Sequence, residues 1–307
     1  MRAIALLGLV LVACGGATPP PATVEVTPAA SASAPANANA TEKYPIRLSR
    51  DDRVGDRARL VLDVERTSTT TRSDRPTNGD TEHAAYHLEA TRTATAVDAR
   101  GSFAAVTLIV SKLTATASGQ PTELVKNGQE IRVTRAEKSA DATVTIDGAA
   151  ASPELRKALD ATIELELSRF RDDDMWGSTE PRAIGAEWPV DVARATTSFA
   201  PLLRATTVQG TTKVVRLETV EGIPCVVLEG WVEMKGRMAK SPGMKTRPSV
   251  ITARMSSAYP IDTTIQPMTL DATMRIDFEA SVDNQGTTVK IESVIDQHSR
   301  GRVIPLR

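Results

Sequence analysis

Cysteine, aromatic residues and net charge are all scarce in this 307-residue chain. There are two cysteines, Cys14 and Cys225, and aromatic residues make up 3% of the sequence. A core must therefore be built mainly from Val, Leu, Ile, Ala and Met, with few rings for stacked recognition of a small molecule. The formal net charge of -1 argues against nucleic acid as a partner and against a polybasic membrane binder.

Familiar catalytic and cofactor motifs are also absent. The sequence contains no G-x-S-x-G, H-E-x-x-H, G-x-G-x-x-G or C-x-x-C motif and no phosphate-binding loop. We therefore predict no cofactor and favour a non-catalytic protein. A hydrolase with an unrecognised site stays open as an alternative.

The first fourteen residues have the features of an export signal. Arg2 gives a positive start, and residues 3–12 form an uncharged apolar run that is too short to span a bilayer as a helix. The run ends in LVACG at residues 11–15, which resembles the lipobox of bacterial lipoprotein precursors. The resemblance implies that residues 1–13 are a signal peptide and that Cys14 becomes the lipidated N-terminus. An ordinary secretory signal is the alternative.

A low-complexity segment follows the lipobox. Residues 16–41 are almost entirely Ala, Pro, Thr, Ser, Gly and Asn, with Glu25 as the only charge, and such a composition buries too little apolar surface to offset the entropy of ordering. We predict that residues 14–43 are a disordered tether reaching about 25–30 Å from the lipid. The predicted partner is thus a membrane, reached through the lipid anchor, and the predicted location is the cell envelope. In the lipoproteins that the lipobox resembles, an Asp directly after the lipidated Cys retains some proteins at the inner membrane. Gly15 occupies that position here, which favours the outer membrane in a Gram-negative host.

From Tyr44 onwards the dominant period is that of β-strands. Apolar residues occupy nearly every even position of residues 268–282 and polar residues the odd ones, so one face of the strand is apolar. A turn signal at residues 283–286 and a second alternating run from Val289 predict a hairpin. Similar runs cover residues 57–72, 81–98, 101–117, 211–218 and 223–234, with an Asn78-Gly79 turn signal after the first.

One segment predicts a helix and divides the β-rich sequence. Its N-cap, first position and apolar face are Ser152, Pro153, Leu155, Leu159, Ile163, Leu167 and Phe170. We predict a mainly β (α+β) fold with long antiparallel strands in a curved sheet or half-barrel. Two β halves, residues 44–151 and 191–307, are linked by the helix and a crossing segment over residues 152–190. Trp176 and Trp188 are expected to pack in the seam between the two halves, where their large rings fill the space.

The predicted architecture resembles uncharacterised families of secreted β-rich bacterial lipoproteins. The features that carry the resemblance are the lipid anchor, the long antiparallel strands, the central helix and the Gly-x-x-Trp crossing at residues 185–188. The architecture is more distantly similar to the half-barrel folds of lipoprotein carriers such as LolA. The resemblance is one of architecture, and no functional residue is carried over from it.

The inner face of the predicted sheet is the candidate ligand site. Small and flexible side chains on a wide curved sheet leave apolar volume that an acyl chain could fill in an envelope compartment. The candidate ligand-binding residues are Met268, Ala272, Met274, Ile276 and Ala280.

A basic segment breaks the near-neutral pattern of the chain. It is expected to be a long loop with five cations, two methionines and no acid: Lys235, Arg237, Met238, Lys240, Met244, Lys245 and Arg247. One interpretation is a membrane-facing loop that rests on anionic headgroups or rims an apolar cavity. The other is a long connection kept soluble by its charge.

Three smaller features are interpreted as structural. His83 and His87 share the polar face of a strand with Glu89 but lie about 13 Å apart at roughly 3.3 Å per residue, so we predict no metal site there. Asp172–Asp174 lacks the Gly and the distal Glu of a calcium loop, which favours a solvated loop or a helix end. Cys225 lies in an apolar strand and is predicted to be an unreactive core residue.

Three hypotheses for the function remain. The leading one is a non-catalytic envelope lipoprotein that binds an apolar or lipidic ligand in the curved sheet. The alternatives are a structural or interaction lipoprotein with a filled core, and the hydrolase. A cavity in the folded core favours the first hypothesis, a filled core the second, and a cleft with clustered titratable groups the third.

Overall fold

The computed structural model describes residues 42–306 except 100, 118, 136–141, 164, 166–171, 201–202, 239–243 and 285–286. For residues 76–78, 174, 198, 244 and 284 it describes the backbone alone. The predicted signal peptide, Cys14 and nearly all of the tether lie outside the described residues, as do Leu167, Phe170 and Lys240.

The described part of the chain is mainly β-structure, as predicted. The strands of its first half are β1 (Lys43–Tyr44), β2 (Arg57–Arg72), β3 (Arg75–Val97), β4 (Phe103–Ala117), β5 (Gln120–Val125), β6 (Glu130–Arg135), β7 (Ala142–Ile146) and β8 (Ala149–Ala150). Those of its second half are β9 (Arg182–Ala183), β10 (Glu187–Pro189), β11 (Leu203–Val220), β12 (Ile223–Met238), β13 (Met244–Thr246), β14 (Pro248–Pro260), β15 (Thr269–Asn284) and β16 (Thr287–Leu306). The helices are α1 (Pro153–Ile163), α2 (Asp172–Met175) and α3 (Val192–Phe199).

One large antiparallel sheet contains fourteen of these strands. Its order is β10-β11-β12-β14-β15-β16-β2-β3-β4-β6-β7-β8, with β13 beside β15 and β5 beside β4, while β1 and β9 form a separate pair. Within the described residues the two end strands, β10 and β8, do not pair with each other, so the sheet is open. The prediction of long antiparallel strands in a large curved sheet is confirmed.

The two β halves meet edge to edge in the middle of this sheet. Strand β16 pairs with β2 along almost its whole length, from Ile291 opposite Arg72 to Leu306 opposite Arg57. The halves are therefore joined by a continuous ladder of backbone hydrogen bonds as well as by the helical segment.

Two of the predicted turns have different outcomes. The turn between β15 and β16 brings Asn284 opposite Thr287, as the hairpin prediction requires. The prediction of a turn at Asn78-Gly79 is wrong, because the turn between β2 and β3 lies at residues 73–74 and β3 runs through residues 78–79. The earlier turn is held by two hydrogen bonds from the Arg72 guanidinium to Asp74, at 3.0 and 2.8 Å.

Helix α1 begins as predicted, and two further short helices were not predicted. The Ser152 hydroxyl accepts a hydrogen bond from the Leu155 amide at 3.2 Å, which is the N-cap contact expected before Pro153. Helix α3 begins after the N-cap Asp191, which accepts from the Arg194 amide at 3.0 Å. Its eight residues include Val and two Thr, which are weak helix formers. None of the helices in the described ranges combines the length and the apolarity needed to cross a bilayer.

Candidate functional site

The apolar face of the sheet is covered differently in its two halves. Over the C-terminal strands lie Tyr44, Ile46 and Leu48 of the segment before β2, together with residues of the crossing segment and of α3. Over the N-terminal strands lies α1, whose buried residues are Leu155, Ala158 and Leu159. The boundary between these two covers is where the structure leaves space.

A cavity of about 90 Å³ lies at this boundary. Its floor is apolar, because alternation along β2, β4 and β16 turns one set of side chains inward: Leu60, Leu62, Val64, Val106, Leu108 and Val303. Its cover comes from residues 48–50, the C-terminal turn of α1 at residues 161–163, Asp172 of α2 and residues 266–267.

Three buried arginines line the same cavity. Arg50, Arg92 and Arg135 are only 6%, 8% and 7% exposed. Burial of this kind is rare for arginine because a guanidinium stays protonated and loses its hydration. Burial lowers the pKa of Arg50, and the charge of Asp173 partly opposes this shift.

Each of these guanidinium groups is held by protein contacts. Arg50 donates to the carbonyl oxygens of Asp262 and Pro260, both at 3.0 Å. Arg92 donates to the Asp52 carboxylate at 3.1 Å. Arg135 donates to the Leu165 carbonyl at 2.9 Å. Its guanidinium carbon lies 3.8 Å from the centre of the Phe103 ring.

Polar groups at the cavity remain unsatisfied in spite of these contacts. The Nε–H groups of Arg50 and Arg92 and the hydroxyl of Ser49 are buried and have no hydrogen-bond partner among the described residues. All three residues line the cavity. An unsatisfied buried polar group costs about 1–3 kcal/mol, and more when it is charged. The lining therefore combines an apolar floor with unused donors on the cover, from Ser49 and Arg50, and on β3, from Arg92.

The charges that line the cavity do not balance. Among the described lining residues, Arg50, Arg92, Arg135 and Arg300 are accompanied by two acids, Asp52 and Asp172, and Arg300 also lies 4.0 Å from Asp271 outside the lining. The Arg300 side chain is 60% exposed, so this part of the lining reaches the surface. The described lining therefore holds more arginines than acids, in a protein whose overall charge is close to zero.

The acidic run of the crossing segment holds the cover in place. The Asp173 carboxylate accepts hydrogen bonds from the Leu48 and Ser49 amides at 2.7 and 2.9 Å. Asp172 and Asp173 lie at the start of α2, which agrees with the helix-end interpretation, but Asp172 is buried and not solvated.

The five predicted ligand-binding residues lie elsewhere on the buried face. Four of them, Ala272, Met274, Ile276 and Ala280, belong to the core of the C-terminal half. Met268 packs in a small separate cluster with Cys225. The cavity is lined by the neighbouring Leu270 and by none of the five.

Sequence reasoning missed the arginines, although the alternation marks two of them. Arg92 takes its place in the inward-facing series Leu88, Ala90, Arg92 and Ala94 of β3. Arg135 likewise follows Ile131 and Val133 on the inward face of β6. An arginine in phase with apolar neighbours was therefore the available signal for a buried charged site.

The basic segment is a loop over only part of its length. Strand β12 continues to Met238, because Met234, Gly236 and Met238 extend the inward-facing alternation. Met238 is 8% exposed and packs in the C-terminal core. The expectation that residues 235–238 belong to the loop is therefore wrong.

Acids from neighbouring positions and strands approach several cations of this segment. Lys235 lies 3.0 Å from Glu233, Lys245 lies 3.0 Å from Asp283 of β15, and Arg247 lies 3.3 Å from Glu279 of β15. Lys235, Arg237, Lys245 and Arg247 are all exposed. Met244 begins β13, and its side chain is not described.

The two tryptophans of the crossing pack on the C-terminal half and not in the seam. Trp176 is fully buried and Trp188 nearly so, both in the C-terminal core. A Cβ at Gly230 would lie 2.7 Å from the Trp176 ring, so this ring requires a glycine on β12. The Trp188 indole donates to the Trp176 and Gly177 carbonyls at 3.2 and 2.9 Å.

The histidines and Cys225 have structural surroundings. His87 contacts Asp63 at 2.7 Å and Glu89 at 3.1 Å, and His83 contacts the Thr67 hydroxyl at 3.0 Å. Within the described ranges, no group of three or more His, Cys, Asp or Glu is placed to hold a metal. Cys225 is fully buried, and burial raises the pKa of its thiol to about 11.

Comparison with known proteins gives only distant structural neighbours. No protein-family model and no curated protein matches the chain. A structure described as "Lipid-protein interactions in lipovitellin" is 9% identical, with a TM-score of 0.34 over 82% of this chain, which spans only 25% of that chain. A LolA superfamily protein from Nitrosomonas europaea is 12% identical, with a TM-score of 0.16 over 80% of this chain and 87% of its own. MucB, solved in complex with MucA, is 10% identical, with a TM-score of 0.16 over 79% of this chain and 88% of its own. At these TM-scores the likeness says nothing about a ligand.

Proposed function

We propose that this chain is a lipid-anchored lipoprotein of the cell envelope that binds an apolar or lipidic ligand, without catalysis, on the inner face of its sheet. The observation that carries the proposal is the cavity between the two covers, with its floor of Leu and Val side chains. Empty apolar volume of this kind destabilises a folded protein by about 24 cal/mol per Å³. A ligand that fills the cavity removes this penalty.

The size of the cavity limits the part of the ligand that it can hold. A water-sized group needs about 10–15 Å³ of such volume, so the cavity accommodates about six to nine groups. This corresponds to a short acyl chain or to the end of a longer one. At about 0.8 kcal/mol per methylene, burial of such a chain contributes about 5–7 kcal/mol, which is comparable to the cost of association.

The anchor is tested by Cys14→Ser. We expect the variant to lose lipidation and to appear as soluble or unprocessed protein, because a serine lacks the thiol to which the lipid of a lipobox cysteine is attached. Mass spectrometry of the mature N-terminus provides the measurement. An unmodified wild-type chain that is cleaved at another residue would refute the lipobox interpretation.

The ligand is tested with the mature chain, residues 14–307 with Cys14→Ser, secreted through a cleavable signal and purified without detergent. Native mass spectrometry should detect a bound amphiphile. Val106→Phe, which places a ring in the cavity, should displace it with little loss of stability. The matched control is Val232→Phe at a fully buried site away from the cavity, which should overpack the core and cost about 1–3 kcal/mol.

The competing function is a structural or interaction lipoprotein with a filled core. It is favoured by the burial of Ala272, Met274 and Ile276, which pack against their neighbours in the C-terminal core. If the protein carries no ligand and Val106→Phe destabilises it as much as Val232→Phe does, this second function is the correct one.

A further inference from the structure

We propose that the cavity selects amphiphiles with an anionic head group, a carboxylate or a phosphate, which Arg50 and Arg92 bind while the acyl chain lies on the apolar floor. This inference rests on the proposed function and adds the chemical class of the ligand. It concerns the polar residues of the cavity lining, whereas the proposed function depends on the apolar floor.

The first argument is the state of the two guanidinium groups. Arg50 uses its two Nη groups for the carbonyl oxygens of Asp262 and Pro260, and Arg92 uses one Nη for Asp52. Both side chains are thereby fixed in position before any ligand arrives. In the described part of the chain the buried Nε–H of each has no partner, nor has the hydroxyl of Ser49, which lines the same cavity. Anionic oxygens are the acceptors that form the strongest hydrogen bonds with such donors.

The second argument is charge. The described lining contains four arginines and two aspartates, and one of the arginines, Arg300, is exposed and lies 4.0 Å from Asp271. One of these acids, Asp52, is already shared between Arg92 and the Gln266 amide, at 3.1 and 3.2 Å. A buried positive charge is costly unless an opposite charge compensates it. The described hydrogen bonds of the Arg50 guanidinium go to neutral carbonyl oxygens, so a carboxylate or phosphate supplies this compensation there, whereas a neutral head group does not.

The third argument is the distribution of chemistry within one small volume. Leu60, Leu62 and Val64 form an apolar floor, Ser49 and Arg50 lie on the cover, and Arg92 lies on the neighbouring strand β3. A free inorganic anion would leave the floor bare, and an alkane would leave the donors unpaired. Only a molecule with both parts satisfies both surfaces.

The experiment compares three ligands of one chain length on the unmodified binding site. Isothermal titration of the mature chain carrying Cys14→Ser uses octanoate, octyl phosphate and 1-octanol, with acetate and inorganic phosphate as head groups alone. We expect octanoate and octyl phosphate to bind at least about tenfold more tightly than 1-octanol. We also expect both short anions to bind much more weakly than their octyl counterparts.

Variants assign this preference to the arginines. Arg92→Met should reduce the ratio between octanoate and 1-octanol to near one while 1-octanol still binds. Arg59→Met is the matched control, because Arg59 is exposed and absent from the cavity lining, and it should leave the ratio unchanged. Circular dichroism checks that each variant folds, and the comparison of ligands on the unmodified site stands even if Arg92→Met does not fold.

The outcomes separate this inference from the proposed function. Equal binding of octanoate, octyl phosphate and 1-octanol overturns the head-group selection and leaves the apolar site intact. Acetate or phosphate binding as tightly as the octyl compounds shows a site for a free anion and overturns the amphiphile. Failure of all five compounds to bind removes the proposed function as well.

Discussion

The two halves of the sheet are packed by different means. The C-terminal half is covered by large rings, and six aromatic residues belong to its core: Tyr44, Trp176, Trp188, Phe199, Tyr259 and Phe278. The buried aromatic of the N-terminal core is Tyr86, and its cover is the helix α1 with Leu and Ala side chains. The difference shows how a chain with few aromatic residues distributes them.

This distribution explains where the cavity lies. Rings fill the irregular space between a curved sheet and its cover, since each buries a large area. Among the described residues the N-terminal half has fewer rings, Tyr86 and the partly buried Phe103, and the boundary beside it is lined mainly by Leu, Val and Arg side chains together with Phe103. The predictions below test this contrast between a filled half and a half with a cavity.

The largest effect is expected from Trp176→Ala in the filled half. Trp176 is fully buried against Gly230, so its removal leaves a large void and should lower the free energy of unfolding by about 3–5 kcal/mol. Urea unfolding followed by far-UV circular dichroism provides the measurement. The control is Trp231→Ala, because Trp231 is 42% exposed and its loss should change stability by less than about 0.5 kcal/mol. Similar losses for both variants would contradict the role of the buried Trp176 ring in filling the C-terminal half.

Asp173→Ala tests the attachment of the cover and should have the next largest effect. It removes a charged acceptor from the Leu48 and Ser49 amides, and the expected loss of stability is about 2–3 kcal/mol. Hydrogen exchange of these two amides should accelerate before the rest of the sheet is affected. Asp173→Asn keeps one acceptor oxygen and should show an intermediate effect, and unchanged exchange in both variants would disprove the attachment.

Ala272→Phe and Ala280→Phe test the residues predicted from the sequence to contact the ligand. Both alanines are buried in the C-terminal core, so a ring at either position should overpack it and destabilise the protein by about 1–3 kcal/mol. Thermal unfolding together with native mass spectrometry gives both readouts. Loss of the ligand without loss of stability would instead show that the ligand extends along β15.

The smallest effect concerns Cys225, which should be inert in the folded protein at neutral pH. Burial raises the pKa of its thiol from 9.0 to about 11, so the thiolate is scarce and also inaccessible. The thiol ionises first in the unfolded state, so its contribution to stability is complete below about pH 9 and is lost as the pH rises towards about 11. Labelling with a thiol reagent, with and without denaturant, checks this, and rapid labelling of the folded protein would contradict it.

The sequence was sufficient for several of the long strands, but it did not predict β6, β7 or β14, and it was insufficient for the site. A sustained period of two predicted β15 and its hairpin with β16, because each residue of a half-buried strand faces either the core or the solvent. The end of β12 was placed too early, because cations at exposed positions 235 and 237 masked an alternation that continues to Met238. Local charge was mistaken there for a loop signal.

The cavity depends on contacts between residues distant in the sequence, and for this reason it was not predicted. Ser49 and Arg50, Arg92, and Gln266 come from three different parts of the chain. Their meeting follows from the pairing of β16 with β2, which no local pattern encodes. The fixed position of Arg50 likewise depends on carbonyl oxygens more than 200 residues away.

The pairing of β16 with β2 has a consequence for folding. The central ladder joins residues 57–72 to residues 291–306, so the closing contact spans most of the polypeptide and carries a large loop-closure entropy. Each half can form its own hairpins early, but each then presents a long edge strand that is prone to wrong pairing. We therefore expect a slow refolding phase that reports on the joining of the halves. Ile295 faces Ser68 in this ladder. Because proline cannot donate a backbone hydrogen bond to the ladder, Ile295→Pro should lengthen that phase and promote aggregation.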